Sequence, residues 1–142
     1  MTAWAGLVIA ALLQTGSPSA QPMTTIAKGV QSGVESAREV VARTETEWQA
    51  LWREHAPNQP APAVDFTRDM VVGVFMGSRP TGGFSVQITA TRQDRGSLIV
   101  EYRETRPGRG TITAQVITAP FHLAAIPQFA GKVTFQEVTA KQ

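Results

Sequence analysis

Residues 70–76 read Met-Val-Val-Gly-Val-Phe-Met, a run without a single polar side chain. A strand that faces water on one side alternates apolar and polar residues, because successive side chains point to opposite faces. This run has no such alternation. It is apolar on both faces and therefore runs through the middle of a sheet, and the rest of the chain has to be arranged around it.

Downstream, the alternation expected of half-buried strands is present. Phe84, Val86, Ile88 and Ala90 alternate with Ser85, Gln87, Thr89 and Thr91, and Leu98, Val100 and Tyr102 with Ile99, Glu101 and Arg103. Gln93-Asp94-Arg95-Gly96 between them reads as a turn, with a glycine available for positive φ. Thr111 to Thr118 and Phe121 to Ile126 read as two further strands bent at Pro120, and Lys132 to Thr139 as the last, with Val133 and Phe135 inward. Upstream, Thr25 to Val34 is a loose strand broken by Gly29 and Gly33, and Arg38 to Arg43 a short one.

One helix is written plainly. Thr44-Glu45-Thr46-Glu47 is a capping box, in which the threonine hydroxyl accepts from the N3 amide and Glu47 reaches back to the cap amide. Trp48, Leu51, Trp52 and His55 then fall on one helical face, and Pro57, Pro60 and Pro62 end the helix and extend the connector. The tryptophans are read as core. Short connections favour antiparallel neighbours. The expected fold is α+β: one helix packed on a curved, mainly antiparallel sheet of six or seven strands.

Trp4 to Leu13 is an apolar run too short to span a bilayer but suited to a signal-peptide core, with a short buried helix as the other reading. The expected organisation is a signal peptide at 1–20, a linker at 21–24 and one domain over 25–142, exported to the periplasm or the extracellular space. No cysteine is present, so disulfides and thiolate chemistry are excluded. Arg79, Arg92, Arg95, Arg103, Arg106 and Arg109 crowd one stretch, but Asp94, Glu101 and Glu104 lie among them. A net charge of only +2 and this interleaving argue against a phosphate-binding track.

Catalytic signatures are absent from the sequence. His55 and His122 lack a partner at metal-pair spacing, no serine sits in a nucleophile elbow, and no glycine run precedes a Lys-Ser/Thr pair. Asp65 with Asp69 and Glu101 with Glu104 read as solvated charges, and His122 as a hydrogen-bonded structural histidine. The expectation is therefore no enzyme, no metal and no cofactor. What stands out is Gly77-Ser78-Arg79-Pro80-Thr81-Gly82-Gly83-Phe84. Pro80 fixes φ, the glycine pair can take positive φ, and Arg79 is lifted beside Phe84. From the residues alone this is either a stiff contact loop with free amides or simply a hairpin turn.

Glu47-Trp48 with Leu51-Trp52, Val64-Asp65-Phe66, Met70-Val71-Val72, the Arg79-Pro80-Thr81-Gly82-Gly83-Phe84 loop and Pro120-Phe121-His122 occur in this order. Together they resemble the C-terminal domain of the PrcB family, a protease complex subunit, over roughly Thr25 to Pro127. The family's usual tyrosine is phenylalanine at positions 84 and 121. The resemblance implies an exported, non-catalytic domain that associates with a protein partner, such as an exported protease, and stabilises it. The charge interleaving and the lack of a second long apolar run add the expectation of no nucleic acid and no membrane once the signal is removed. The residues expected to meet the partner are Arg79, Pro80, Thr81, Gly82, Gly83, Phe84, Pro120, Phe121 and His122. The alternative is a protease inhibitor acting through the Arg79–Phe84 loop. The chagasin-like inhibitors of papain-type proteases carry a similar turn, and Arg106 to Gly110 and Ala119 to Phe121 would supply the other two loops.

Overall fold

The computed structural model describes residues 21–139, so the expected signal segment at 1–20 lies outside the described residues. Its elements are β1 (Thr24–Gly29), β2 (Arg38–Ala42), α1 (Glu45–His55), β3 (Asp69–Phe75), β4 (Ser85–Asp94), β5 (Ser97–Thr105), β6 (Phe121–Pro127) and β7 (Lys132–Glu137). The apolar run is β3, an inner strand of a four-stranded antiparallel sheet ordered β1-β6-β3-β2. Both of its faces are covered. Met70, Val72, Val74 and the following Met76 fill one core, while Val71 and Phe75 point the other way into a second core with Trp48, Leu51 and Trp52 of α1.

The strands do not form one sheet. β4, β5 and β7 make a separate three-stranded sheet, and its β5–β7 pair is parallel. The reason lies in the connections. After the β4–β5 hairpin, residues 106–120 carry the chain back to the first sheet, where β6 pairs with β1 on one side and with β3 on the other. The chain then returns through 128–131 and lays β7 along the free edge of β5, with Leu98 opposite Val133 and Val100 opposite Phe135. Val86, Ile88, Leu98, Val100 and Tyr102 from the second sheet meet Met70, Val72, Val74, Ala124 and Ile126 from the first. The α+β description holds, and the single sheet is replaced by three layers: helix, four strands, three strands.

The alternation read from β4 and β5 holds until Ile88, where a bulge shifts the register. One extra residue flips the remainder of the strand to the other face, so Thr91 is buried and Ala90 only half-buried. The hairpin turns on Arg95 and Gly96, at φ 51° and 80°, the left-handed pair that suits strand twist. Thr111 to Thr118, expected as a strand, is an irregular loop bent at Val116, with only an isolated bridge at Thr118.

In α1 the Thr44 hydroxyl accepts from the Glu47 amide at 3.2 Å, as the capping box requires. The Glu47 carboxylate accepts from the Arg43 amide, one residue before the cap amide expected. Trp48, Leu51, Trp52 and His55 are the buried face. The Trp48 and Trp52 indoles donate to the carbonyls of Pro62 and Gln59, both at 2.9 Å, which ties the proline connector to the helix. Among the described residues no helix is long and apolar enough to cross a membrane.

Candidate functional site

The loop that leaves β3 is stiff for reasons visible residue by residue. The Met76 amide donates to the Pro120 carbonyl at 2.9 Å and the Ser78 amide to Glu35 at 2.8 Å. Arg79 and Thr118 exchange two backbone hydrogen bonds, at 2.7 and 2.9 Å, and the Gly82 amide donates to Ala114 at 2.9 Å. The Thr118 hydroxyl adds a bond to the Thr81 carbonyl. The expectation of free loop amides therefore fails for Ser78, Arg79 and Gly82, which are satisfied inside the fold.

Of the adjacent glycines, only Gly83 takes a positive φ, 89°. A Cβ there would come within 3.0 Å of Pro107 and 3.1 Å of Thr113, whereas at Gly82 the nearest atom would lie 3.5 Å away. Gly77, at φ 79°, is equally constrained, since a Cβ would meet the Ala37 backbone at 2.7 Å. Segment 106–118 thus packs along the loop, and the two form one surface.

Arg79 is the charged centre of that surface. Its guanidinium carbon lies 5.5 Å from the Phe84 ring centroid, a cation–π arrangement. Its Nε is buried with no hydrogen-bond partner, and no carboxylate lies within salt-bridge distance among the described residues. Other arginines of the cluster are neutralised: Arg92 by Glu101 at 2.9 Å and Asp94 at 3.6 Å, and Arg106 by Glu104 at 3.2 Å. Neither 70–93 nor 105–136 contains an Asp or Glu.

Pro120, Phe121 and His122, expected beside the loop as contacts, are buried in the fold. Phe121 packs against the His55 ring at 4.2 Å and the Phe75 ring at 6.3 Å. The His122 Nδ1 accepts from the Ile88 amide at 2.8 Å, so the proton sits on Nε2, which donates to the Thr25 hydroxyl at 2.9 Å. One ring therefore joins β6 to β4 in the other sheet and to β1 in its own. Burial, with a smaller contribution from the Lys28 charge, lowers its pKa to about 4. His122 is a neutral cross-brace, with both nitrogens committed. Of these three, Pro120 is tied to the start of the loop through the Met76 amide, whereas Phe121 packs in the helix-side core and His122 braces the two sheets.

Sequence reasoning passed over two features. The Ser32 hydroxyl lies 2.8 Å from His55 Nδ1 and accepts from the Val34 amide at 3.0 Å, a local clasp in which burial lowers the His55 pKa. No pattern around Ser32 signals it. Ile112, Val116 and Ile117, taken as strand residues, are exposed instead, Ile112 at 99 %. Among the described residues, no three His, Asp or Glu side chains converge as metal ligands.

No curated protein and no solved structure matches the chain. Residues 70–127 match the family model described as PrcB C-terminal. That span runs from β3 through the Arg79 loop and the 106–120 connection to the end of β6, leaving the tryptophan helix outside it. Over this segment the chain is similar to the PrcB C-terminal family, and the match supports a PrcB-like family for the chain.

Proposed function

We propose that the chain is an exported, non-catalytic protein-binding domain that docks onto an exported protease through the Arg79–Phe84 loop and stabilises it. The observation that carries this reading is Arg79 itself, a guanidinium held over Phe84 on a tied-down loop with no carboxylate opposite it. A guanidinium fork matches a carboxylate with two parallel hydrogen bonds. A loop already fixed in shape loses little further entropy on binding. Stabilisation of the partner arises by mass action, because a domain that binds only the folded protease shifts its unfolding equilibrium.

A second reading, a protease inhibitor using the same loop, is favoured by one observation: Pro107 sits against Gly83, so two of the three loops it needs are neighbours. The third stretch, Ala119 to Phe121, is buried. Titration against subtilisin-type and papain-type proteases separates the two: protection from autolysis supports the stabiliser, loss of substrate turnover the inhibitor. The double variant Arg79→Ala, Gly82→Ala should abolish either effect while its thermal midpoint stays close to that of the parent. Full protection by the double variant, or its unfolding, would remove the loop as the site.

A further inference from the structure

Between β5 and β6 lies a segment whose composition and conformation disagree. Thr111 to Ile117 reads Thr-Ile-Thr-Ala-Gln-Val-Ile: five β-branched residues in seven, with no proline, glycine or charge. That is a strand composition, yet the segment joins no ladder. The amides of Ile112 to Ile117 have no backbone acceptor among the described residues, and the one carbonyl of the segment used by a backbone amide is that of Ala114, bonded to Gly82. Ile112, Val116 and Ile117 are 99 %, 53 % and 71 % exposed.

Unpaired backbone beside exposed β-branched side chains is a template for another strand, and monomeric proteins ordinarily blunt such edges with charge or proline. Here the charges lie outside the segment. Arg106 and Arg109 precede it, and Arg79 is bridged to Thr118 at its end. Of the three, only Arg106 has a carboxylate partner among the described residues. Two copies of the chain meeting at this face would bring these arginines together, which opposes self-pairing. A chain bearing carboxylates is complementary instead. The Ala114 carbonyl is taken by the Gly82 amide, while the flanking amides of Thr113 and Gln115 have no backbone acceptor among the described residues.

We propose that Thr111 to Ile117 is a strand-addition site for an extended, acidic segment of a partner polypeptide. Main-chain hydrogen bonds hold the incoming strand. Its apolar side chains lie against Ile112, Val116 and Ile117, and its carboxylates reach Arg79 and Arg109. This rests on the protein-binding reading above and gives that surface a partner chemistry.

The probe is a synthetic peptide of alternating Asp and Val, compared with the same peptide carrying Lys for Asp. Amide hydrogen exchange of the intact chain is monitored as each is added. The acidic peptide should slow exchange at Ile112 to Ile117 saturably, by about tenfold or more at full occupancy. The basic peptide should not. Ile112→Asp, at a position open to solvent, should leave the fold intact and abolish the protection, and Gln115→Pro should do the same by removing an amide. Unchanged exchange at high peptide concentration, equal protection by both peptides, or protection that appears without peptide as the protein is concentrated would each overturn the proposal, the last by identifying a second copy as the occupant. Protease binding that survives Ile112→Asp but not Arg79→Ala would sink the strand site alone. Protection by the acidic peptide without any protease binding would sink the protease reading alone.

Discussion

His122 should make the stability of this domain fall as the solution is acidified, and the size of the fall can be worked from its surroundings. In the unfolded chain the imidazole takes a proton near its ordinary value of 6.5, and in the fold only near 4. Between those values the unfolded state binds more protons, so stability rises with pH. The contribution is complete above about 6.5 and disappears as pH drops towards 4. A separation of this size corresponds to about 3 kcal/mol, at 1.36 kcal/mol per unit. His55, also lowered by burial, adds in the same direction. Urea unfolding at intervals from about pH 7.5 to about pH 4 reads this directly. His122→Phe removes the titration. It also leaves the Ile88 amide without its acceptor, costing about 1–3 kcal/mol at neutral pH. The variant should begin less stable, lose less on acidification, and approach the parent near pH 4. The slope is the readout. Parallel curves for parent and variant would refute the reasoning, because they would mean that the ring protonates as readily in the fold as outside it.

The two loop glycines should respond in opposite ways in thermal melts. Gly82→Ala has room and an ordinary backbone, so it should be neutral or stabilising by about 0.5 kcal/mol. Gly83→Ala, at φ 89° and against Pro107, should cost about 1–2 kcal/mol or more. Trp48→Ala, at a fully buried ring whose indole holds the Pro62 carbonyl, should cost about 3–5 kcal/mol by chemical denaturation. Tyr102→Phe removes the hydroxyl that donates to Glu39 at 3.0 Å and should cost about 1 kcal/mol in the same assay.

What could be read from the sequence was whatever local periodicity determines. The double-sided apolar pattern of β3, the capped helix with its indole face and the β4–β5 hairpin each depend on neighbours within a few residues, and each stands where the pattern put it. The division into two sheets could not be read that way. It depends on where the 106–120 connection returns the chain and on β7 running parallel to β5, which no adjacent residue encodes. Thr111 to Thr118 shows the same limit from the other side. Its composition favours a strand, but its bonds to Arg79 and Gly82 hold it against the loop instead of a ladder. At the site, the proline and glycines of residues 77–84 announced a fixed bend. The burial of Pro120, Phe121 and His122 was hidden, because it arises from β6 lying between two strands and beneath a second layer.

The bridge between Arg79 and Thr118 joins two places where the chain crosses between layers, on its way out of β3 and on its way into β6. It works as a clasp at one end of the sandwich. A protein seated on that clasp would hold the halves together and slow their separation, so grip on the partner and cohesion of the domain become thermodynamically linked. Substitutions deep between the sheets that loosen the stack should then weaken attachment at a distance, although they touch nothing on the proposed binding face.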